Sequence, residues 1–230
     1  MSKSRVVVAI DGPAGAGKST VSKLLAQELN YLLLDTGALY RCVGLAATRA
    51  GVEAEPAKVA EVAQQLAANS SIEFRRNEDG SQSVWLDGED VSVAIRTPEN
   101  SQAASRVSAI PEVRAALMDL QRSVGDKGGV VVEGRDIGTV VFPQAPAKFF
   151  LTASVNTRSA RRHKELLARG DTTSLEEVAA DVKERDRRDS TRPVAPLKQA
   201  DDAVLVDSTE QTIDEVVQLM AEAVRRIEGE

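Results

Sequence analysis

Short runs of apolar, mostly β-branched residues recur along the chain: VVVAI at 6–10, YLLLD at 31–35, VVVEG at 130–134, KFFLT at 148–152 and AVLV at 203–206. Each is too short for an amphipathic helix and too uniformly apolar for a sheet with one wet face, so each predicts a strand buried on both sides. Stretches of helical periodicity separate the runs, and several carry start signals. Asn156 predicts the cap of a helix that ends at Gly170. Ser174 with Glu177, and Thr212 with Glu215, have the spacing of capping boxes, and Pro111 suits the first turn of a helix through Arg122. Strand and helix in alternation predict parallel strands joined by right-handed crossovers, hence an open α/β sheet with helices on both faces.

One region departs from that rhythm. Residues 71–93, SIEFRRNEDGSQSVWLDGEDVSV, alternate with a period of two around the turn signals NEDG and LDG, which predicts a small antiparallel hairpin or meander. Helical patterns flank it on both sides. Residues 37–125 therefore read as an insertion between the second and third strands of the main sheet.

Composition narrows the class. The 230 residues suffice to bury roughly 70% of the unfolded surface. Lys and Arg number 29 against 35 Asp and Glu, a net charge of −6, which argues against a duplex nucleic-acid binder, whose field is normally basic. The cations divide into 20 Arg and 9 Lys, and the planar fork of arginine suits phosphate. The single cysteine, Cys42, rules out an intrachain disulfide and fits a reducing compartment. The first apolar run stops at Asp11, too soon for a signal peptide, and no stretch approaches the roughly 20 apolar residues of a membrane span. A cytoplasmic protein is the expectation. With His163 the only histidine, a His-rich metal site is excluded and a His-based triad is disfavoured, and His163 and Cys42 read as structural.

The chemistry enters at residues 12–19, GPAGAGKS, which fit G-x-x-x-x-G-K-[ST] between a strand and a helical pattern. Gly12, Gly15 and Gly17, with Pro13, Ala14 and Ala16 between them, let main-chain N–H groups wrap an anion at a helix N-terminus. Lys18 would reach the β- and γ-phosphates of ATP, the Ser19 hydroxyl would ligate Mg²⁺, and Thr20 follows in the same binding segment. By itself such a loop serves kinases, switches, motors and transporters alike. The guanine-reading N-K-x-D element of switch GTPases and the LSGGQ signature of transporters are missing. Arginines beside Asp or Thr instead stand at strand ends: Asp35, Thr36, Tyr40 and Arg41 in LLLDTGALYR, and Glu133, Arg135 and Asp136 in VVVEGRDIGT. Open α/β sheets bind ligands there. A third cluster, VKERDRRDSTRPVAPL, spaces Arg185, Arg188, Asp189 and Arg192 three or four apart, on one helix face or the loop leaving it. Solvated, salt-bridged helices would also explain this cluster. The prolines at 193 and 196 favour a lid over the transferring phosphoryl group.

Taken together, DGPAGAGKST, LLLDTGALYR, GEDVSVAIRT, VEGRDIGTVVFP, KERDRRDSTRPVAPL and VDST resemble bacterial cytidylate kinases over nearly the whole chain. The resemblance implies a P-loop kinase fold: a five-stranded parallel sheet with helices on both faces, a small antiparallel β insertion and a helical lid. Residues 1–36, 126–155 and 193–230 would form the ATP-binding core, 37–125 the nucleoside-monophosphate-binding insertion with its hairpin, and 156–192 the lid. The implied reaction phosphorylates CMP or dCMP from Mg-ATP in pyrimidine nucleotide metabolism, in a monomer that binds neither nucleic acid nor membrane. By motif position, the CMP phosphate contacts fall on Thr36, Arg41, Arg135 and Arg192, the cytosine contacts on Ser105, Arg114 and Asp136, and the sugar contacts on Arg185 and Asp189. Thr36 stands where Ser is frequent and Glu133 where Asp is frequent; Glu133 would orient Mg²⁺ through water.

Lys18, Arg135, Arg188 and Arg192 would be the catalytic cations, since phosphoryl transfer needs positioning and charge neutralisation more than a strong base. A carboxylate at Asp136 can accept from the cytosine amino group and would oppose O4 of uracil. For Arg185 and Asp189, ribose contacts compete with an i, i+4 ion pair. Two alternatives stay open on the residues alone: a kinase of the same architecture acting on UMP or AMP, and a regulatory P-loop NTPase.

Overall fold

A computed structural model describes residues 5–77, 82–126, 128–168 and 170–229. Along the chain run β1 (Val7–Asp11), α1 (Lys18–Glu28), β2 (Leu32–Asp35), α2 (Thr36–Arg49), α3 (Pro56–Ala68), β3 (Ile72–Arg76), β4 (Gln82–Leu86), β5 (Glu89–Asp90), α4 (Pro98–Val107) and α5 (Pro111–Gly125). Then follow β6 (Val130–Glu133), β7 (Ala147–Thr152), α6 (Val155–Leu167), α7 (Leu175–Thr191), β8 (Val204–Asp207) and α8 (Ile213–Glu228), with a single π-type turn over Ile137–Val141 between β6 and β7. The chain divides into two compact units, Met1–Leu34 with Val124–Glu230, and Asp35–Ser123.

In the first unit, among the described residues, five strands form one sheet in the order β2-β6-β1-β7-β8. The pairs β1–β6, β1–β7 and β7–β8 are parallel. Strands β1, β6 and β7 are covered on both faces as their apolar runs predict, whereas β2 and β8, at the sheet edges, differ from that prediction and expose Leu32, Val204 and Leu205 because no neighbouring strand lies beyond them. Ile10 stands opposite Glu133, and Asp11 opposite Phe150. The C-terminal ends of the two central strands therefore lie side by side. Helix α8 buries Val216, Val217, Met220, Ala221 and Val224, one apolar stripe, in a core shared with Phe149 and Leu151. The capping boxes of α7 and α8 are both formed. Helices α6 and α7 pack through Leu166, Val178 and Val182.

Two boundaries differ from the sequence reading. Helix α6 is capped by Ser154, whose hydroxyl accepts from the Thr157 N–H at 3.1 Å, and not by Asn156, and its last helical residue is Leu167 rather than a position at Gly170. Ser and Asn are comparable caps, so the choice rests on where the chain leaves β7. Helix α5 continues past Arg122 to Gly125.

In the second unit, β3, β4 and β5 form an antiparallel meander, with Ile72 opposite Leu86 and Phe74 opposite Val84. The LDG signal becomes a tight turn: Asp87 and Gly88 both have positive φ, 49° and 80°, as a two-residue hairpin loop of the primed type requires. Most of the NEDG turn, from residue 78 on, lies outside the described residues. Trp85 of β4 lies beneath the Arg75 guanidinium, 3.9 Å from its ring centroid. Helices α2 to α5 supply the rest of this unit's core, with Leu39, Val43, Val59, Ile95 and Leu117 fully buried. Burial pushes the Cys42 thiol up to about 12, with Asp35 adding to the shift and Arg41 opposing it, so this cysteine stays a protonated core residue.

Candidate active site

The glycine-rich loop leaves β1 at Asp11 and enters α1 at Lys18. Gly12 has φ +150°, and a Cβ there would collide with the Leu151 carbonyl oxygen. Gly17, with φ 90° in the left-handed region, opens α1. Pro13 and Ala16 are buried, Ala14 and Gly15 half-buried, and Ser19 and Thr20 exposed on the first turn of the helix. The Lys18 ammonium is buried and donates to the Gly12 and Pro13 carbonyls, at 2.7 Å each. Burial pushes it well below the ordinary lysine range; Arg135 and Arg185 act in the same direction, against Glu133 and Asp11.

The end of β6 brings its own set beside this loop. The Ser19 hydroxyl donates to Glu133 Oε2 at 3.2 Å. Gly134 N–H bonds to the Ile10 carbonyl at 3.0 Å, and the next residues are Arg135 and Asp136. Arg135 Nε donates to Asp189 Oδ2 at 2.9 Å, and Arg192 Nη2 to Asp136 Oδ1 at 3.3 Å. Arg192 is further fixed by a 2.6 Å bond from Nε to the Ala195 carbonyl. Asp189 thus pairs with Arg135 across 54 residues of sequence. Burial would raise the Asp189 pKa, but the charges of Arg135, Arg185 and Arg192 and the hydrogen bond from Arg135 hold it below the usual carboxylate range. Arg188, more exposed, lies 3.7 Å from Glu184 on α7.

Three further residues join the site that sequence reasoning did not assign to it. Arg158, nearly fully buried, donates to the Ala14 carbonyl in the glycine-rich loop at 3.0 Å and pairs with Asp186 of α7 at 2.7 Å, so it ties α7 to the loop. Arg161 donates to the hydroxyl and carbonyl of Ser208, at 3.1 and 2.7 Å, in the VDST segment after β8. Asp11, buried at the end of β1, accepts from the N–H groups of Ile137 and Gly138 at 2.7 and 2.8 Å. Burial raises its pKa to about 6 against the pull of those two amides. Asp11 lies inside the quoted motif DGPAGAGKST, and Arg158 and Arg161 stand in the arginine-rich stretch TRSARRHKELLARG upstream of the third cluster.

The second unit holds the other sequence-predicted residues. Helix α2 starts at Thr36, which is buried, and Asp35 caps it by accepting from the Ala38 N–H at 3.2 Å. Arg41, one turn on, lies 3.6 Å from the Asp35 carboxylate, and its buried Nε has no hydrogen-bond partner among the described residues. Asn100 of α4 donates to the Arg41 carbonyl at 3.1 Å and locks α4 to α2. Ser105 is buried on α4, and Arg114 on α5 donates to the Ser108 carbonyl at 3.4 Å with its guanidinium 5.5 Å from the Tyr40 ring centroid. The unpartnered Nε of the half-buried Arg41 suits an anionic ligand.

A phosphate-wrapping loop closing on a helix N-terminus, beside arginine-bearing strand ends of a parallel sheet, defines a P-loop enzyme of the phosphotransferase kind. Residues 8–226 match the family model for cytidylate kinase. The chain is 54% identical over 220 residues to a cytidylate kinase of Syntrophotalea carbinolica, covering 96% of this chain and 92% of that protein. It is 52% identical over 223 residues to one of Geobacter sulfurreducens, covering 97% and 94%. The chain belongs to the cytidylate kinase family. A crystal structure of an uncharacterized protein from Eubacterium ventriosum shares the fold at TM-score 0.52 and 12% identity, over 96% of this chain and 99% of that one. Among the described residues, no helix is long and apolar enough to cross a membrane.

Proposed function

We propose that this chain transfers the γ-phosphoryl group of ATP to CMP, and to dCMP, as a cytoplasmic monomer in pyrimidine nucleotide metabolism. The observation that carries the reading is the adjacency of the P-loop, with Lys18 and Ser19, to the β6 end, with Glu133, Arg135 and Asp136, on neighbouring central strands. The main-chain N–H groups of Gly12–Ser19 cradle the ATP phosphates. Lys18, now held by two loop carbonyls, reaches the β- and γ-phosphates when they arrive. Bound Mg²⁺ would neutralise charge on those phosphates. Ser19 Oγ, facing the Glu133 carboxylate, offers the hard oxygen environment that Mg²⁺ takes.

On the acceptor side, Arg41, Thr36, Arg135 and Arg192 fix the CMP phosphate. Asp136, Ser105 and Arg114 read cytosine, and Arg185 and Asp189 meet the ribose. A phosphate oxygen of CMP forms the new bond to the γ-phosphorus as the bond to the β-bridging oxygen of ATP breaks, and ADP leaves with that electron pair. At neutral pH the acceptor phosphate, with its second pKa near ~6, is largely dianionic, so no protein general base takes part. Arg188, with the other α7 arginines, supplies cationic charge over the transferring group, and residues 156–192 close as a lid that keeps water out.

A panel of CMP, dCMP, UMP and AMP in an ADP-release assay tests the reading. The expected outcome is turnover with CMP and dCMP and a preference over UMP of at least about 10²-fold, since a buried polar mismatch discriminates strongly. Preference for UMP or AMP overturns the cytosine assignment, and ATP hydrolysis that needs no acceptor replaces the kinase with a regulatory NTPase.

A further inference from the structure

The arc Gly134–Arg135–Asp136 carries two of the groups assigned to the acceptor nucleotide, and it belongs to no regular element. Asp136 has φ −147° and ψ 26°, neither strand nor helix, so no ladder of its own directs its side chain. Besides the pairs that its side chains make with Asp189 and Arg192 and the amides that the Asp136 carbonyl accepts from, the arc is held at both of its ends. On one side Gly134 N–H bonds to the Ile10 carbonyl at 3.0 Å. On the other, the first two N–H groups past the arc, those of Ile137 and Gly138, donate one to each carboxylate oxygen of Asp11. Two consecutive residues at the end of β1 therefore grip the arc on both sides.

We infer that Asp11 is a positioning residue for the acceptor nucleotide, holding the Arg135–Asp136 arc in the orientation from which both side chains reach CMP; this rests on the CMP reading above. Asp11 does not act as the hydrogen-bonding partner of Lys18, whose ammonium is held by the Gly12 and Pro13 carbonyls. Its two oxygens serve two amides of the acceptor side, although its next neighbour in sequence is the first glycine of the ATP loop. A carboxylate suits this place because it presents only acceptors, whereas an asparagine must turn an NH₂ group toward one of the two N–H donors. The backbone lies close to that carboxylate: a Cβ on Gly138 would touch Asp11 Oδ2 at an ordinary contact distance of 3.4 Å.

Steady-state kinetics of the full chain, D11N and D11E at pH 8 test the inference, with CMP, UMP and ATP each varied and the thermal midpoint recorded. D11N keeps the volume and one acceptor. It is expected to raise KM for CMP about tenfold and lower the CMP-over-UMP preference about tenfold, with KM for ATP changed less than about twofold, because a small misplacement of binding groups costs selectively where they touch. D11E, which keeps the carboxylate but moves it one methylene toward the two amides, should give the same selective change at about threefold and decides the matter if D11N does not fold. Equal rises in KM for CMP and ATP, or no change in CMP selectivity, overturn the positioning role. A parent chain that fails to phosphorylate CMP overturns the functional reading instead, whatever the variants do.

Discussion

The strand ends of β1 and β6, and helix α7 with the residue that follows it, both carry charged groups proposed to meet phosphates, yet they hold them in opposite ways. At the strand ends the main chain does the holding: Gly134 bonds to Ile10, Ile137 and Gly138 bond to Asp11, and Lys18 leans on two loop carbonyls. On α7 the holding is done by side chains on each other. Arg187 and Arg188 face Glu184 near the surface, while Asp189 and Arg192 are buried against Arg135 and Asp136. Groups fixed by a buried sheet are pre-organised and need little rearrangement at the moment of reaction. Groups on long side chains can follow a moving ligand, which is what closing over a phosphoryl group demands. Arg158 joins the two regions, bonding to Ala14 of the loop and to Asp186 of α7.

The largest effect should come from the rigid region. Lys18→Ala removes the cation aimed at the β- and γ-phosphates, and kcat/KM is expected to fall at least about 10³-fold, or about 4 kcal/mol of transition-state stabilisation. An ADP-release assay at saturating Mg-ATP checks it; turnover near that of the parent chain would move the chemistry away from the loop. The next test splits α7. Arg192→Ala strips a buried pair of one partner and should cost about 3 to 5 kcal/mol of unfolding free energy besides activity. Arg188→Ala, at a more exposed position, should slow turnover yet leave the urea midpoint unchanged. Equal stability losses for the two would erase the distinction between buried anchor and mobile cation.

Much of this contrast could be read from the residues before any coordinates. The three inner strands, β1, β6 and β7, announce themselves because parallel strands wet on neither face must be apolar throughout; the edge strands β2 and β8 are as apolar in sequence yet expose Leu32, Val204 and Leu205. The meander at Ile72–Asp90 announces itself by a period of two and an Asp-Gly turn. The P-loop is legible because its chemistry is local, within eight consecutive residues. What stayed hidden was long-range. Spacing alone offered Arg185 and Asp189 as a pair four residues apart, whereas Asp189 bonds Arg135, a contact that depends on where α7 comes to rest against the β6 end. Asp11 looked like the residue that ends an apolar run; its role needs Ile137 and Gly138, 126 and 127 residues away, and hence a strand order in which β6 lies beside β1. The start of α6 was misplaced for a smaller reason, since Ser154 and Asn156 are both good caps two residues apart.

The mildest and most diagnostic test sets the two buried carboxylates against each other. Asp11 titrates at about 6 in the folded chain, above its ordinary 3.8, because burial outweighs the two amides it accepts from. A raised carboxyl pKa favours the protonated form on folding, so its contribution to stability is complete below about pH 4 and is lost as pH rises through 6. The loss should run at about 1.4 kcal/mol per unit and total no more than about 3 kcal/mol. Asp189 is shifted the other way: burial alone would raise it, but three arginines hold it below the usual range. Its contribution is present above about pH 4 and is lost as pH falls through its depressed value. Urea unfolding of the parent chain, D11N and D189N from pH 3.5 to 7 separates them. The margin of the parent chain over D11N should shrink between pH 4 and 6, while its margin over D189N stays level above pH 5 and falls only in acid. A margin over D11N that is constant from pH 4 to 6 would mean that the Ile137 and Gly138 amides fully offset burial, and that the end of β1 is as well compensated as the arginine-lined face of α7.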